Sequence, residues 1–556
     1  MKYQSPLDML YHWEKSTPNK VYLKQPIDGI WHTWTWQQAA QEVRQAAASL
    51  RSLGLPQNSH IALLSKNCAH WMICDLAIMM AGHVSIPLYP NLQQENVQQI
   101  LERSESTLLF VGKLDNWDAL KDGIPKSINC IALPFCRHAG CEDWNSFVKP
   151  HELILQDIER NATDLCSIIY TSGTVGAPKG VMFTFGAFAF VAQNAIKPLR
   201  FKSTDRFFSY LPLSHIAERM LVEMVSLYTG GQVSFAESLQ TFARDLAETS
   251  PTVFLGVHRI WTKFQEGILA KISQKRLDTL LSMPLLAFMI KRKIRKGLGL
   301  NETRMAFTGA APTPPALIEW YGRLGIAIQE AYALTENCCY SHVTLKENIK
   351  IGYVGQPLPN CEVRLGSSNE IQIRHKALMK GYYKDPEKTL EAFTDDGFLK
   401  TGDEGFIDEE GFLKITGRIK DLFKTAKGKY VAPSPIEMKF SSNAVIEQVC
   451  VVGSGLPQPI ALITLSEMGR KKSAEELVSE LKNILQHVNS SLDAHEKVSK
   501  IIVLNEEWSI ENNLMTASLK IKRNELEKRY AEYYEVWDGL NGPVNMVNLP
   551  RGTKVQ

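Results

Sequence analysis

Short apolar runs alternate with helical patterns through roughly the first 400 residues. Ile61-Ala-Leu-Leu64, Thr107-Leu-Leu-Phe-Val111, Cys166-Ser-Ile-Ile169 and Val253-Phe-Leu255 have strand length and few polar interruptions. Runs of this kind predict strands covered on both faces, and their alternation with helices predicts an α/β architecture with largely buried sheets. After Lys420 the pattern changes. Gln448-Val-Cys-Val-Val452, Ile460-Ala-Leu-Ile-Thr464 and Ser499-Lys-Ile-Ile-Val503 read as strands, with a helix predicted from Ala474 to Leu485. The chain therefore divides into a large N-terminal α/β domain over 1–419, a small α+β domain over 420–537, and a loose tail over 538–556 where Gly, Pro and Asn occur without periodicity. No internal repeat is present, which sets solenoids and propellers aside.

The stretch from Trp71 to Pro87 contains Asp75 and His83 and is marginal for a bilayer span, so a buried helix leading into a strand is expected. Met283-Pro-Leu-Leu-Ala-Phe-Met-Ile290 is followed by Lys291-Arg-Lys-Ile-Arg-Lys296. That pairing within Leu280–Lys296 suits a helix lying on an anionic membrane surface. A core-packing helix with a solvated basic end is the simpler expectation.

At 556 residues the chain is too long for one core, and 44% hydrophobic with 22% charged residues describes an ordinary globular protein. The 62 basic residues nearly balance the 59 acidic ones, a net charge of +3, so nucleic acid is not an expected partner. Ten cysteines without regular spacing fit a reducing compartment rather than a disulfide framework. Cys136-Arg-His-Ala-Gly-Cys141 lacks the paired spacing of a zinc site and reads as a surface loop. The N-terminus has no apolar signal core, which together with the thiols points to the cytoplasm, with peripheral attachment to the inner membrane face as the variant that the Leu280–Lys296 segment would permit.

The candidate chemistry begins at Thr171-Ser-Gly-Thr-Val-Gly-Ala-Pro-Lys-Gly180. Gly173 and Gly176 allow amide groups to converge on an anion, Thr171, Ser172 and Thr174 add hydroxyl donors, and Lys179 adds a mobile cation. The loop links two strand-like runs, and Gly180 rather than Ser or Thr follows the lysine, so it is not a Walker-type loop. Taken alone it would also suit a turn with no ligand. Three further segments argue otherwise: Tyr332-Ala-Leu-Thr-Glu336 downstream of Gly309-Ala-Ala-Pro312; Phe398-Leu-Lys-Thr-Gly-Asp403 with Ile415-Thr-Gly-Arg-Ile-Lys-Asp421; and Ser518-Leu-Lys-Ile-Lys-Arg523. Their order and spacing resemble the adenylate-forming superfamily of acyl-CoA synthetases, luciferases and peptide-synthetase adenylation domains, from about Thr35 to about Tyr530. Within it, Gly417–Thr425, Val431–Glu437, Pro212-Leu-Ser-His215 and Pro251-Thr-Val-Phe254 look most like the long-chain fatty acyl-CoA synthetases.

The resemblance implies a two-step reaction with ATP, Mg2+ and coenzyme A. A fatty-acid carboxylate would attack the α-phosphate and expel pyrophosphate, and a thiol would then displace AMP. It assigns Thr171–Lys179 to the β- and γ-phosphates, Glu336 to the magnesium ion, and Thr335 to the α-phosphate. Tyr332 and Ala333 would lie by the adenine, with Gly309, Ala310 and Ala311 on its other face. Asp403 would take the ribose hydroxyls beside Arg418. Lys520 would bridge carboxylate and α-phosphate, with Lys522 as the competing assignment. His215 would sit at the carboxylate end of the acyl channel, and Cys338, Cys339 and Tyr340 would line it. Lys420 would be the hinge of the small domain, and Lys427-Gly-Lys429 would belong to the face that admits the thiol.

Several positions depart from the pattern. Val175 replaces a hydroxyl residue in the loop, Phe185 stands where a histidine often occurs, Ala333 replaces a glycine, and Arg374-His-Lys376 replaces Arg-Gly-Pro. The alternatives are a fatty acyl-AMP ligase serving a carrier protein, an aryl- or shorter-chain CoA ligase, a luciferase-like oxygenase, and a non-catalytic lipid-binding scaffold.

Overall fold

In the computed structural model, which describes residues 3–136, 138, 140–149, 152–171 and 178–548, the apolar runs form the interiors of two large sheets. One has eight strands. Val84–Leu88, His60–Leu64 and Ser106–Val111 run parallel at its centre, Leu165–Thr171 joins them in parallel, and Lys179–Thr184 returns antiparallel beside the short strand Gly381–Tyr382. The other has nine strands, with Ile328–Tyr332, Met305–Thr308, Val253–Leu255, Arg206–Ser209, Gln232–Phe235 and Val21–Ile27 adjacent and parallel.

The two sheets share one core. Ile61, Cys166 and Ile169 of the first join Phe207, Val233 and Phe235 of the second around the helices Ala69–Ala81 and Phe185–Ile196. Every residue of Ala69–Ala81 is buried, as a helix that is apolar all round should be. The Trp71–Pro87 stretch is thus a core helix followed by a central strand, and no described helix is long and apolar enough to cross a membrane. The helix's one acid is compensated: both Asp75 oxygens accept from Arg219 Nη2, at 2.5 and 2.6 Å, with both side chains fully buried.

An antiparallel sheet of Glu362–Leu365, Glu370–Arg374, Leu399–Ile407 and Leu413–Arg418 carries the chain to a short 3-10 turn at Ile419–Asp421. Beyond it, Ile446–Val452, Ile460–Leu465 and Lys500–Leu504 form the small domain's sheet. Alternate residues face opposite ways in a strand. Accordingly Val449, Val451, Ala461 and Ile463 enter one cluster under the helix Ala474–Asn489, while Cys450, Val452, Ile460 and Leu462 enter another with Trp508, Leu526, Tyr530 and Trp537. Both faces are covered, which is why these strands read as unbroken apolar runs.

The expected loose tail over 538–556 is in part a strand. Val544–Val547 is a fourth strand paired in parallel with Lys500–Leu504, so this part of the 538–556 stretch is not a loose tail. Backbone pairing at an open sheet edge holds it, without the periodic apolar pattern that would have announced a strand. The residues after 548 lie outside the described part. All ten cysteines are free thiols, in line with the absence of a disulfide framework. The Cys136–Cys141 segment is described only in part, since residues 137 and 139 fall outside.

The two domains touch directly. Asn91 Nδ2 donates to the Ala517 carbonyl at 2.9 Å, Gln93 Nε2 donates to Ile510 and Glu511 carbonyls at 2.9 and 3.1 Å, and Ala517 is buried in a large-domain cluster. This contact brings the Ser518–Arg523 segment against the large domain.

Candidate active site

The site begins at the carboxyl ends of two parallel strands, the place where open α/β sheets bind ligands. Met305–Thr308 runs into Gly309-Ala-Ala311, and its neighbour Ile328–Tyr332 runs into Ala333–Glu336. A Cβ on Gly309 would lie 3.0 Å from the Ala331 carbonyl oxygen, tighter than ordinary packing. Ala310 adopts φ +67°, a left-handed conformation that costs a side-chain-bearing residue energy. Past Tyr332 the chain turns sharply. Leu334 N–H donates to Asn337 Oδ1 at 2.9 Å and Cys338 N–H to the Thr335 carbonyl at 2.8 Å, which fixes Thr335 and Glu336 at the turn.

Glu336 is held from a third direction. The Tyr382 hydroxyl donates to Glu336 Oε1 at 2.9 Å, and the Met379 N–H donates to the Glu336 carbonyl at 2.8 Å. The Lys179 ammonium lies 5.0 Å from the centre of the Tyr382 ring, a cation–π contact. Thr171 and Lys179 are paired residues where the hairpin opens, and Gly180 beside them has no room for a side chain: a Cβ would come within 2.8 Å of Ile168. Ser172, Gly173, Thr174, Val175 and Gly176 lie outside the described residues.

Asp403 is buried at the start of the antiparallel hairpin that ends on Arg418. Its two carboxylate oxygens accept from different groups, the Tyr332 hydroxyl at 2.8 Å and Arg418 Nε at 2.7 Å. Gly402, with φ +69°, lies where the strand Leu399–Ile407 shifts register against its neighbour, and the Thr401 hydroxyl accepts the Asp403 N–H at 3.1 Å. Tyr332 is buried with Ile371, Ile373 and Leu413, and its hydroxyl is tied to the acid proposed to hold ribose. A carboxylate has about four acceptor sites, so two engaged oxygens still leave acceptor capacity.

Lys520 sits at the tip of a tight turn. Its N–H donates to Thr516 Oγ1 at 3.0 Å, its carbonyl accepts from Thr516 N–H at 2.8 Å, and Leu519 adopts φ +60°. The side chain keeps solvent contact yet is surrounded closely enough that desolvation and the nearby Arg418 charge lower its pKa, opposed by Asp403 and Glu336. Residues from both domains are therefore brought within electrostatic reach of one another. Lys522 is directed elsewhere, with its ammonium donating to Asn513 Oδ1 at 2.5 Å.

His215 caps the short helix that follows it, its Nδ1 accepting the Ala217 N–H at 3.2 Å. Burial, and then the Lys520 charge, push its pKa down to about 4, so the ring is neutral near pH 7. A nitrogen that accepts an N–H carries no proton, which places the proton on Nε2. The loop before it is anchored: Asn67 bonds the Leu211 carbonyl and the Leu213 N–H at 2.6 and 3.0 Å, and Glu218 Oε1 accepts from Ser209 Oγ and Tyr210 N–H at 2.9 and 3.0 Å. Cys338 and Tyr340 are buried in the main core, the latter donating to the Pro359 carbonyl at 2.8 Å, while Cys339 is half-buried.

Burial raises the Glu218 carboxyl from 4.5 to about 8. A raised folded-state value means that its stabilising effect is full below 4.5 and is lost as pH climbs through about 8. Glu218→Gln is expected to gain stability relative to the wild type as pH rises across that window. Thermal midpoints of both proteins at pH 5 and pH 8 check this; a constant difference contradicts it.

Sequence reasoning did not single out Tyr382. Its only signal was a short Gly381-Tyr382 run, and its meaning comes from the pairing of that run with Val181 and Met182 across the sheet.

The AMP-binding enzyme family matches residues 10–383, and the AMP-binding enzyme C-terminal domain matches residues 420–536. The chain belongs to this family. It is 29% identical to the long-chain-fatty-acid–CoA ligase FadD15 of Mycobacterium tuberculosis, over 95% of this chain and 96% of that one. It is 30% identical to fatty acyl-CoA synthetase A of Dictyostelium discoideum, covering 89% of this chain and 84% of the other. Among solved structures, the adenylation domain of a carboxylate reductase from Mycobacterium chelonae superposes with a TM-score of 0.81 at 21% identity, over 97% and 91% of the two chains. The fold, a large α/β domain with a smaller C-terminal domain, is the adenylate-forming enzyme fold.

Proposed function

We propose that this AMP-binding enzyme joins a long-chain fatty acid to coenzyme A through an acyl-adenylate, releasing pyrophosphate and then AMP. The observation that carries the reading is the approach of Lys520 from the small domain to Glu336, Asp403 and Arg418 of the large one. A lysine near an ordinary surface has no need of such company. We assign its ammonium to bridge an attacking carboxylate and the α-phosphate, where negative charge gathers. The fatty-acyl relatives support the long-chain acid.

In the first half-reaction a carboxylate oxygen bonds to the α-phosphorus and the bond to the β-phosphate oxygen breaks, freeing pyrophosphate. Lys179 holds the departing phosphates, Thr335 donates to the α-phosphate, Asp403 accepts the ribose hydroxyls, and Tyr332 with Gly309-Ala310-Ala311 flanks the adenine. His215 Nε2–H has no acceptor among the described residues and would donate to the acid. Glu336 would hold Mg2+, since Tyr382 occupies one of its oxygens and no protein group among the described residues takes the other. One carboxylate plus substrate phosphates is a donor set that Mg2+ accepts, and the bound ion would supply neutralisation of phosphate charge. In the second half-reaction a thiol sulfur bonds to the acyl carbon and AMP leaves. We assign the hinge between the halves to Lys420, in the turn at Ile419–Asp421, and the thiol-admitting face to the exposed turn Lys427-Gly-Lys429.

The test is pyrophosphate release from ATP with acids from acetate through palmitate and oleate to coumarate, each with and without coenzyme A. The proposal expects release with long-chain acids, and acyl-CoA plus AMP when the thiol is present. Release only with aryl or short acids contradicts the substrate; adenylate without thioester contradicts the acceptor. Tyr382→Phe is expected to lower kcat/KM for ATP by about tenfold to a hundredfold, from the loss of a hydrogen bond to a charged group. A rate unchanged within twofold would show that the phenol does not position Glu336.

A further inference from the structure

The helix Pro284–Gly297 lies on the crossover between the strands Val253–Leu255 and Met305–Thr308 and carries two apolar faces rather than one. Ala287, Ile290, Ile294 and Leu298 recur at helical spacing and pack inward, three of them against the cluster around Trp261 and Tyr321. That stripe fulfils the core-packing expectation. The opposite face does not. Leu285 is 85% exposed, Phe288 66% and Met289 65%, with Met283 and Leu286 exposed beside them. Along the same face, one to three turns later, come Arg292, Lys293 and Lys296, also exposed. None of these cations pairs with a carboxylate among the described residues. From Lys271 to Gly297 the chain has eight Lys or Arg against one acid, Asp278, which is itself bonded to Arg323. A protein balanced to within three charges overall thus concentrates a surplus of positive charge on a segment whose tip is apolar.

We infer that the outer face of this helix docks on an anionic lipid surface, with Leu285, Phe288 and Met289 entering the acyl boundary and Arg292, Lys293 and Lys296 at the phosphate level. Charge complementarity selects the occupant. A second copy of the chain would set cation against cation, and a nucleic acid would meet the cations but leave three large apolar side chains in water. An anionic leaflet satisfies both halves of the face. The docking does not depend on which acid the active site takes.

The experiment is co-sedimentation of the full chain with vesicles of phosphatidylcholine alone and of phosphatidylcholine with phosphatidylglycerol, at low and high salt. Binding is expected with the anionic vesicles and is expected to fall steeply with salt. The triple variant Arg292→Gln, Lys293→Gln, Lys296→Gln is expected to weaken binding roughly a hundredfold, each cation near such a surface contributing a factor of about five. The double variant Leu285→Glu, Phe288→Glu is expected to lose binding at least about tenfold while keeping the wild-type thermal midpoint, since both side chains are exposed. Absence of binding to anionic vesicles, equal binding to neutral ones, or unchanged binding by both variants overturns the inference. So does light scattering that shows a wild-type dimer dissociated by the double variant without vesicle binding, which would assign the face to a second copy.

Discussion

Lys520→Ala is expected to slow pyrophosphate release by about a hundredfold to a thousandfold, the usual cost of removing a preorganised donor from a developing charge. The thermal midpoint is expected to stay put, because the turn that presents Lys520 is held by its backbone and by Thr516 Oγ1, not by the ammonium. When preformed acyl-adenylate and coenzyme A are supplied, thioester formation is expected to fall far less, since the proposed role of the lysine ends with the first half-reaction. Lys522→Ala is the internal control. Its ammonium is bonded to Asn513, and the rate is expected to change little. Equal losses in the two variants would show that the basic run acts as a diffuse positive patch rather than through one placed charge.

Asp403→Ala is the second large effect. Two hydrogen bonds from ribose to a carboxylate would be lost, and kcat/KM for ATP is expected to fall about a hundredfold or more. Unlike Lys520, this residue is also structural. Its removal leaves the buried Tyr332 hydroxyl without its acceptor, a penalty of about 1–3 kcal/mol that should lower the thermal midpoint by a few degrees. The Arg418 partner adds little to that figure, because its side chain is half exposed and the ion pair is screened. Tyr332→Phe removes the orphaned hydroxyl, so Asp403→Ala in that background is expected to cost less stability than in the wild type. A full, additive loss in the double variant would show that the tyrosine–aspartate bond has no energetic weight.

The two cases show what a single sequence discloses. Asp403 and Lys520 could be singled out because they are charged residues in a fixed order of motifs, and the structure brings the two near each other and near Arg418. The small domain's strands were legible because both faces are buried and nearly every position is apolar. What could not be read depends on contacts between distant segments. Tyr382 reaches Glu336 only because Gly381–Tyr382 pairs with the strand Lys179–Thr184, and nothing local to Tyr382 signals it. The Val544–Val547 strand pairs through its backbone at a sheet edge, where side-chain pattern is a weak guide. The Pro284–Gly297 helix shows the opposite failure: its apolar letters were plain, but one set faces the core and the other faces out, and only the packing separates them.

Attack of a carboxylate oxygen on the α-phosphorus of ATP leaves an isotopic signature in the products. The enzyme is given palmitate labelled with oxygen-18 in both carboxyl positions, with ATP and coenzyme A, and the products are weighed by mass spectrometry. The expected products are AMP carrying one labelled oxygen, unlabelled pyrophosphate, and palmitoyl-CoA retaining the other label. ADP with label in released phosphate would mean an acyl-phosphate route, and unlabelled AMP would mean that ATP is cleaved without joining the acid; either result would overturn the adenylate route.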